Sequence, residues 1–212
     1  MNDCRKDLLV YAVTDRSWLR GKTLAEQVEE ALKGGATMIQ LREKELTGEP
    51  LEQLAKEVQA VCRRYGVPFL INDDVELAVK IGADGAHVGQ EDMEAGNVRR
   101  LLGPDRILGV TAKTAEQVRA AVAAGADYLG SGAVFGSTTK TNAKPMTLAQ
   151  FREICEVSEV PVVAIGGINL GNMDELKGCG MAGFAIVSGI FAADDVEGMT
   201  RKIRAKAEEL VK

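Results

Sequence analysis

Three groups of side chains in this sequence can act on charged ligands. The first is Gln40-Leu41-Arg42-Glu43-Lys44, where Arg42 and Lys44, two residues apart, project to one side if the run ends a β-strand. The second is a pair of carboxylates, Asp73 in Asn72-Asp73-Asp74 and Asp92 in Gly89-Gln90-Glu91-Asp92. Two carboxylates with several open positions suit Mg²⁺, which completes its octahedron with water and phosphate oxygens. The third is Ser137-Thr138-Thr139-Lys140, a polar run ending in a cation. Each has a plainer reading, since acids cap helices and charge clusters are usually solvated; Asp74 is read as such a cap. Together, Mg²⁺, one arginine and two lysines carry more positive charge than a monophosphate needs, and they match a diphosphate. Gly166-Gly167 and Ser188-Gly189 add a different feature, glycines that let backbone N–H groups approach an anion. The sequence therefore offers two anion sites, one for a diphosphate with metal and one for a monophosphate without.

What is missing narrows the chemistry further. The single histidine, His87, lies inside the apolar run Gly85-Ala86-His87-Val88-Gly89, which fits a core or supporting role. No Ser-His-Asp set can be assembled around it. Neither a Walker loop nor a G-x-G-x-x-G fingerprint occurs. Chemistry here rests on positioning and electrostatics rather than on a covalent nucleophile.

These residues must be held by a regular scaffold, and the apolar pattern supplies one. Eight short apolar runs predict strands at Leu8–Thr14, Met38–Leu41, Pro68–Ile71, Gly85–Val88, Ile107–Val110, Tyr128–Val134, Val162–Ile165 and Phe184–Val187. Their near-continuous apolarity is what strands covered on both faces show. Helical periodicity falls between and after them, at Leu24–Lys33, Leu51–Tyr65, Val75–Ile81, Met93–Leu102, Ala115–Ala124, Leu148–Val157, Met173–Lys177 and Val196–Leu210. Thr114 with Gln117 reads as a capping box. Gly34-Gly35-Ala36-Thr37, Ile81-Gly82-Ala83-Asp84, Ala124-Gly125-Ala126-Asp127 and Cys179-Gly180-Met181-Ala182 each close a helix before an even-numbered strand. Such a quasi-fourfold repeat suits an α/β fold of the (βα)8 TIM-barrel type, one closed parallel domain over residues 1–212, with the site at the C-terminal strand ends. An open doubly wound sheet is the alternative. In the barrel, all the groups above fall at one mouth, and Gly89, Gly109, Gly166, Gly167 and Gly189 are expected where phosphates approach.

Composition agrees with this reading. The 212 residues carry a net charge of −5, which disfavours binding to nucleic acid or to a membrane surface. No apolar run reaches the roughly 20 residues of a membrane span, and the N-terminal residues lack a secretory pattern. Cys4, Cys62, Cys155 and Cys179 are widely spaced and read as reduced thiols of a cytoplasmic protein. Self-association to a homo-oligomer is left open.

The set Gln40-Leu41-Arg42-Glu43-Lys44, Asn72-Asp73, His87-Val88-Gly89-Gln90-Glu91-Asp92, Thr139-Lys140 and Ile165-Gly166-Gly167-Ile168 resembles the thiamine-phosphate synthase family, in the same order and over nearly the whole chain. The resemblance implies a barrel that joins a hydroxymethylpyrimidine diphosphate to a thiazole monophosphate, giving thiamine phosphate and diphosphate. It implies that Asp73 and Asp92 hold Mg²⁺. Arg42, Lys44, Asn72 and Lys140 would bind the diphosphate, with Arg42, Lys44 and Lys140 as the catalytic cations. Gln40 would contact the pyrimidine or its ester, with Leu41, Glu43 and Thr111 around the same substrate. Ser137, Thr138, Thr139, Gly167, Val187 and Ser188 would bind the thiazole phosphate. In the family the C–O bond is thought to break first, leaving a pyrimidine-stabilised carbocation. The chain departs from the family pattern at Thr111, Lys113 and Gly136, where serine, histidine and proline are usual. Three alternatives remain at this stage: a related thiazole tautomerase, a phosphosugar isomerase or aldolase-like barrel, and a non-catalytic phosphate-binding barrel. The full cation and carboxylate set argues against the first and the third, and the lack of a Schiff-base lysine on an apolar strand against the second.

Overall fold

The computed structural model describes residues 3–89, 95–136 and 145–211. Its strands are β1 (Val10–Val13), β2 (Met38–Leu41), β3 (Phe69–Asn72), β4 (Gly85–Val88), β5 (Ile107–Thr111), β6 (Tyr128–Gly132), β7 (Val162–Ile165) and β8 (Gly183–Ile186). Each pairs in parallel with its neighbours, and the sheet closes where Val10, Tyr11 and Ala12 of β1 meet Phe184, Ala185 and Ile186 of β8. The expected (βα)8 barrel is the observed one. An open sheet is excluded because β1 has a partner on both sides.

Around the sheet run α1 (Leu24–Lys33), α2 (Gly48–Tyr65), α3 (Val75–Ile81), α4 (Ala95–Leu102), α5 (Ala115–Ala123), α6 (Leu148–Val157), α7 (Ser188–Phe191) and α8 (Val196–Leu210). Several strand ends, those of β1 and β6 among them, are shifted from expectation, and other details differ too. Helix α2 starts at Gly48 rather than Leu51, and Pro50 is accommodated because first-turn N–H groups have no helical acceptor. The stretch after β7 is a single 3₁₀ turn, Met173–Leu176, and α7 is one extra turn directly after β8. Thr114 does accept from the N–H of Gln117 (3.3 Å), but the side-chain Oε1 of Gln117 takes the N–H of Lys113 (2.7 Å), so the box is half formed. Reciprocal boxes form instead at Thr23 with Glu26 and at Thr147 with Gln150.

Alternation along each strand sorts the side chains into two cores. Val10, Ala12, Ile39, Leu41, Phe69 and Ile71 face the helices, whereas Tyr11, Val13, Met38, Leu70, Tyr128 and Val163 fill the barrel interior. Because both faces are covered, β1, β2, β4, β6 and β8 are buried at every position, as their apolar runs require.

The repeated glycine turns close the N-terminal end of the barrel. Gly35, Gly82, Gly125 and Gly180 all have positive φ, between 64° and 100°. The polar residue that follows in three of them ties two strands together. Thr37 Oγ1 accepts from the N–H of Val10 (2.9 Å), Asp84 Oδ2 from Phe69 (2.9 Å) and Asp127 Oδ2 from Leu108 (2.9 Å). Ala182 occupies the fourth position and can accept no such bond. Asp127, with no side-chain exposure, also receives Arg99 Nη2 at 2.7 Å, and Arg99 further donates to the carbonyls of Gly103, Arg106 and Gly125.

Candidate active site

At the opposite end, the C-terminal ends of the strands surround a cavity of about 240 Å³. Strand β2 and its loop bring Gln40, Arg42 and Lys44 to it, and β3 brings Asn72 and Asp73. Thr111 and Lys113 enter from β5, and Gly166, Gly167, Val187 and Ser188 from the loops after β7 and β8. Arg42, Lys44, Lys113 and Asp73 therefore share one space with a glycine wall. Asp92, Ser137, Thr138, Thr139 and Lys140 lie outside the described residues, as do Gln90 and Glu91.

The cationic rim is built by the end of β1. Thr14, fully buried, hydrogen-bonds through its hydroxyl to the N–H of Arg42 (3.0 Å), and its own N–H reaches the carbonyl of Gln40 (3.0 Å). Asp15 lies 3.9 Å from the Arg42 guanidinium, whose side chain is 14% exposed. Arg42 is thus held partly desolvated, where its charge is least screened by water.

Glu43 and Leu41 do not line the cavity. Leu41 packs in the layer between strands and helices. The Glu43 side chain is 5% exposed and folds the β2–α2 loop, accepting from the N–H groups of Lys44 (2.8 Å), Glu45 (2.7 Å) and Leu46 (3.3 Å) and from Arg16 (3.2 Å). Burial alone would raise its pKa, but the Glu45 N–H, the Arg16 guanidinium and the remaining N–H groups outweigh it and hold the carboxyl below its ordinary value.

Asp73 stands apart from its neighbour. Asp74 caps α3, accepting from the N–H of Leu77 at 2.8 Å, as expected of it. Asp73 instead adopts φ = 64°, a left-handed conformation that costs a non-glycine residue about 1 kcal/mol or more. Its N–H is tied to the carbonyl of His87 (2.8 Å) and its carboxylate receives the side-chain amide of Asn72. That geometry keeps the exposed carboxylate on the cavity wall. Its hard oxygen donors fit Mg²⁺. Among the described residues, no group of three or more His, Cys, Asp or Glu side chains gathers around a common point.

On the facing wall, Gly166 and Gly167 have φ of 100° and 68°, and a Cβ at either would fall 2.4 Å from the Ala133 Cβ or 2.6 Å from the Phe135 carbonyl. Only glycine fits there. Gly109 is a correction: it opens no path for phosphate, because a Cβ there would sit 2.2 Å from the Tyr128 ring and 2.5 Å from His87 Nδ1.

Beneath the rim runs a hydrogen-bonded chain that spacing alone did not reveal. Gln40 Nε2 donates to Tyr11 Oη (2.5 Å), Tyr11 Oη and Tyr128 Oη are 2.8 Å apart, Tyr128 Oη is 2.9 Å from His87 Nδ1, and His87 Nε2 is 3.1 Å from Thr111 Oγ1. The two tyrosine rings meet edge to face at 5.8 Å. Burial pushes both phenols far above their usual range, so both keep their protons. The cysteines take no part, as Cys4, Cys62 and Cys155 have thiols raised by burial to about 12.

A closed (βα)8 barrel with cations and a carboxylate facing a glycine wall at its C-terminal mouth defines a phosphate-handling barrel enzyme. More narrowly, the family model described as "Thiamine monophosphate synthase" matches residues 10–190, and the chain belongs to that family. It is 43% identical over 195 residues to the thiamine-phosphate synthase of Clostridium novyi (strain NT), covering 92% of this chain and 96% of that one. It is 44% identical over 210 residues to "Thiamine biosynthetic bifunctional enzyme TH1, chloroplastic" of Arabidopsis thaliana, covering 96% of this chain and 40% of that protein. The thiamine phosphate pyrophosphorylase structure from Pyrococcus furiosus superposes with a TM-score of 0.90 at 37% identity, over 99% of this chain and all (100%) of that one. No helix among the described residues is long and apolar enough to cross a membrane.

Proposed function

We propose that this barrel is a thiamine-phosphate synthase, a transferase that couples 4-amino-2-methyl-5-hydroxymethylpyrimidine diphosphate to 4-methyl-5-hydroxyethylthiazole phosphate and releases diphosphate. The observation that carries the reading is one cavity with Arg42, Lys44, Asn72 and Asp73 on one side and Gly166, Gly167 and Ser188 on the other. Two phosphorylated substrates can then lie with their reacting ends toward the middle and their anionic ends apart.

In this mechanism the C–O bond to the diphosphate breaks, and both bonding electrons leave with the diphosphate. The thiazole nitrogen lone pair then forms the new C–N bond to the pyrimidine methylene. Arg42 and Lys44 stabilise the charge that grows on the departing oxygens, Arg42 the more strongly because it is partly desolvated. Asn72 orients the Asp73 carboxylate. Lys140 would add the third cation, and Ser137, Thr138 and Thr139 would join Gly167, Val187 and Ser188 around the thiazole phosphate. Asp73 and Asp92 would hold Mg²⁺, whose chemistry when bound is to neutralise diphosphate oxygens. No general base is required, because the leaving diphosphate takes both bonding electrons and the thiazole nitrogen attacks with its own lone pair. The soluble, cytoplasmic setting inferred from composition suits such small-molecule substrates.

The test is diphosphate release from purified protein with both substrates and Mg²⁺. Activity should require both substrates, and Asp73→Asn with Asp92→Asn should abolish its Mg²⁺ dependence. Release that is unchanged in that double variant would sink the metal assignment.

A further inference from the structure

The chain from Gln40 to Thr111 crosses the barrel interior and links two cavity-lining residues on non-adjacent strands, β2 and β5. A chain of this kind has a direction, because each hydroxyl carries one proton and each neutral imidazole one N–H. Gln40 gives its Nε2 to Tyr11, so the Tyr11 proton goes to Tyr128 Oη. The Tyr128 proton must then go to His87 Nδ1, which leaves the N–H on Nε2, pointing at Thr111 Oγ1. Reversing any one bond reverses all of them: Gln40 would present its carbonyl oxygen to Tyr11, and His87 would carry its proton on Nδ1. The two tyrosines transmit this constraint without ionising, because burial keeps both phenols protonated.

Electrostatics selects the first direction. There the Gln40 carbonyl oxygen turns away from Tyr11 toward a cavity whose wall carries Arg42, Lys44 and Lys113. In the reverse direction the Gln40 amide would aim its N–H groups at those cations. Gln40 is 4% exposed, so the difference is felt at low dielectric.

We propose that Tyr11, Tyr128 and His87 form a directed hydrogen-bond chain that fixes the Gln40 amide with its oxygen toward the ligand, making the ring subsite selective for an amino over an oxo substituent. Resting on the aminopyrimidine reading above, the argument is that a fixed acceptor welcomes an exocyclic N–H donor and repels an oxo oxygen. Tyr128, outside the cavity lining, is a positioning residue that acts through its neighbours.

One histidine in the chain makes the direction directly measurable. In protein labelled with ¹⁵N-histidine, the free wild-type protein should give one pair of ring nitrogens, with Nε2 protonated and Nδ1 not. Tyr128→Phe should abolish that preference. An Nδ1–H tautomer, a doubly protonated ring or a tautomer average in the wild type overturns the proposal, and this reading needs no variant. Calorimetry with 4-amino-2-methyl-5-hydroxymethylpyrimidine diphosphate and its 4-oxo counterpart reads selectivity without turnover. Tyr11→Phe frees the Gln40 amide to rotate, and the amino-to-oxo affinity ratio should fall by roughly tenfold. An unchanged ratio, or none in the wild type, overturns the selectivity. If neither pyrimidine binds, both the substrate reading and the selectivity fail, while the spectrum still decides the direction of the chain.

Discussion

The two ends of the barrel use aspartate in opposite ways. Asp127, at the N-terminal end, is buried, paired with Arg99 and bonded to the backbone of the neighbouring strand. Asp73, at the C-terminal end, is exposed and sits in a conformation that glycine would adopt more easily. One carboxylate holds the sheet together and the other is held by the sheet. Strain and solvent are tolerated at the cavity mouth, and not where the fold itself must close.

The sharpest way to break this contrast is Asp127→Ala. It leaves the Leu108 N–H and part of the Arg99 guanidinium without their buried acceptor, and chemical denaturation should show a loss of about 3 kcal/mol. Turnover per folded molecule should be unaffected. Asp73→Ala should invert the pattern, lowering kcat for diphosphate release by about 100-fold, near 2.7 kcal/mol, with little change in unfolding free energy. Asp73→Gly sharpens the comparison further. Activity should fall as in the alanine variant, while stability holds or rises by up to about 1 kcal/mol as the left-handed strain disappears; a clear loss of stability would show that the carboxylate is structural after all. The smallest effect belongs to Glu43, a rim carboxylate that behaves like those at the base. Its carboxyl is held below the ordinary value of 4.5, so its stabilisation is complete above that pH and is lost as pH falls through the depressed value. Thermal unfolding of Glu43→Gln should therefore depend less on pH below about 4.5 than the wild type does.

Much of the scaffold was legible because it is locally encoded. Strands β2, β4 and β7 and helices α1, α3, α6 and α8 fall where apolar period and flanking turn residues place them. Helix α7 was not legible, since four residues carry too little periodicity and one turn depends on its tertiary setting. Within the site, Gln40, Arg42, Lys44, Asn72, Asp73 and Thr111 reach one cavity because strand ends point their side chains to a common mouth. The inward face of β2 carries Gln40 but not Leu41, and strict alternation along that strand would have separated the two. Glu43 was placed around the substrate by resemblance alone, and in the fold its oxygens accept from the loop N–H groups and from Arg16. The pairing of Tyr11 with Tyr128 bridges 117 residues and is created only by barrel closure, so no spacing announces it.

Closure itself has a consequence for how the chain is made. The seam joins β1 to β8, Val10 to Phe184, so the first strand synthesised waits for the last before its second edge is covered. Until then β1 offers an unpaired row of amides and carbonyls on an apolar ribbon, open to pairing with another nascent chain. A ribosome stalled before residue 183 therefore holds a barrel with an open seam, and its exposed ribbon is the segment most in need of a chaperone.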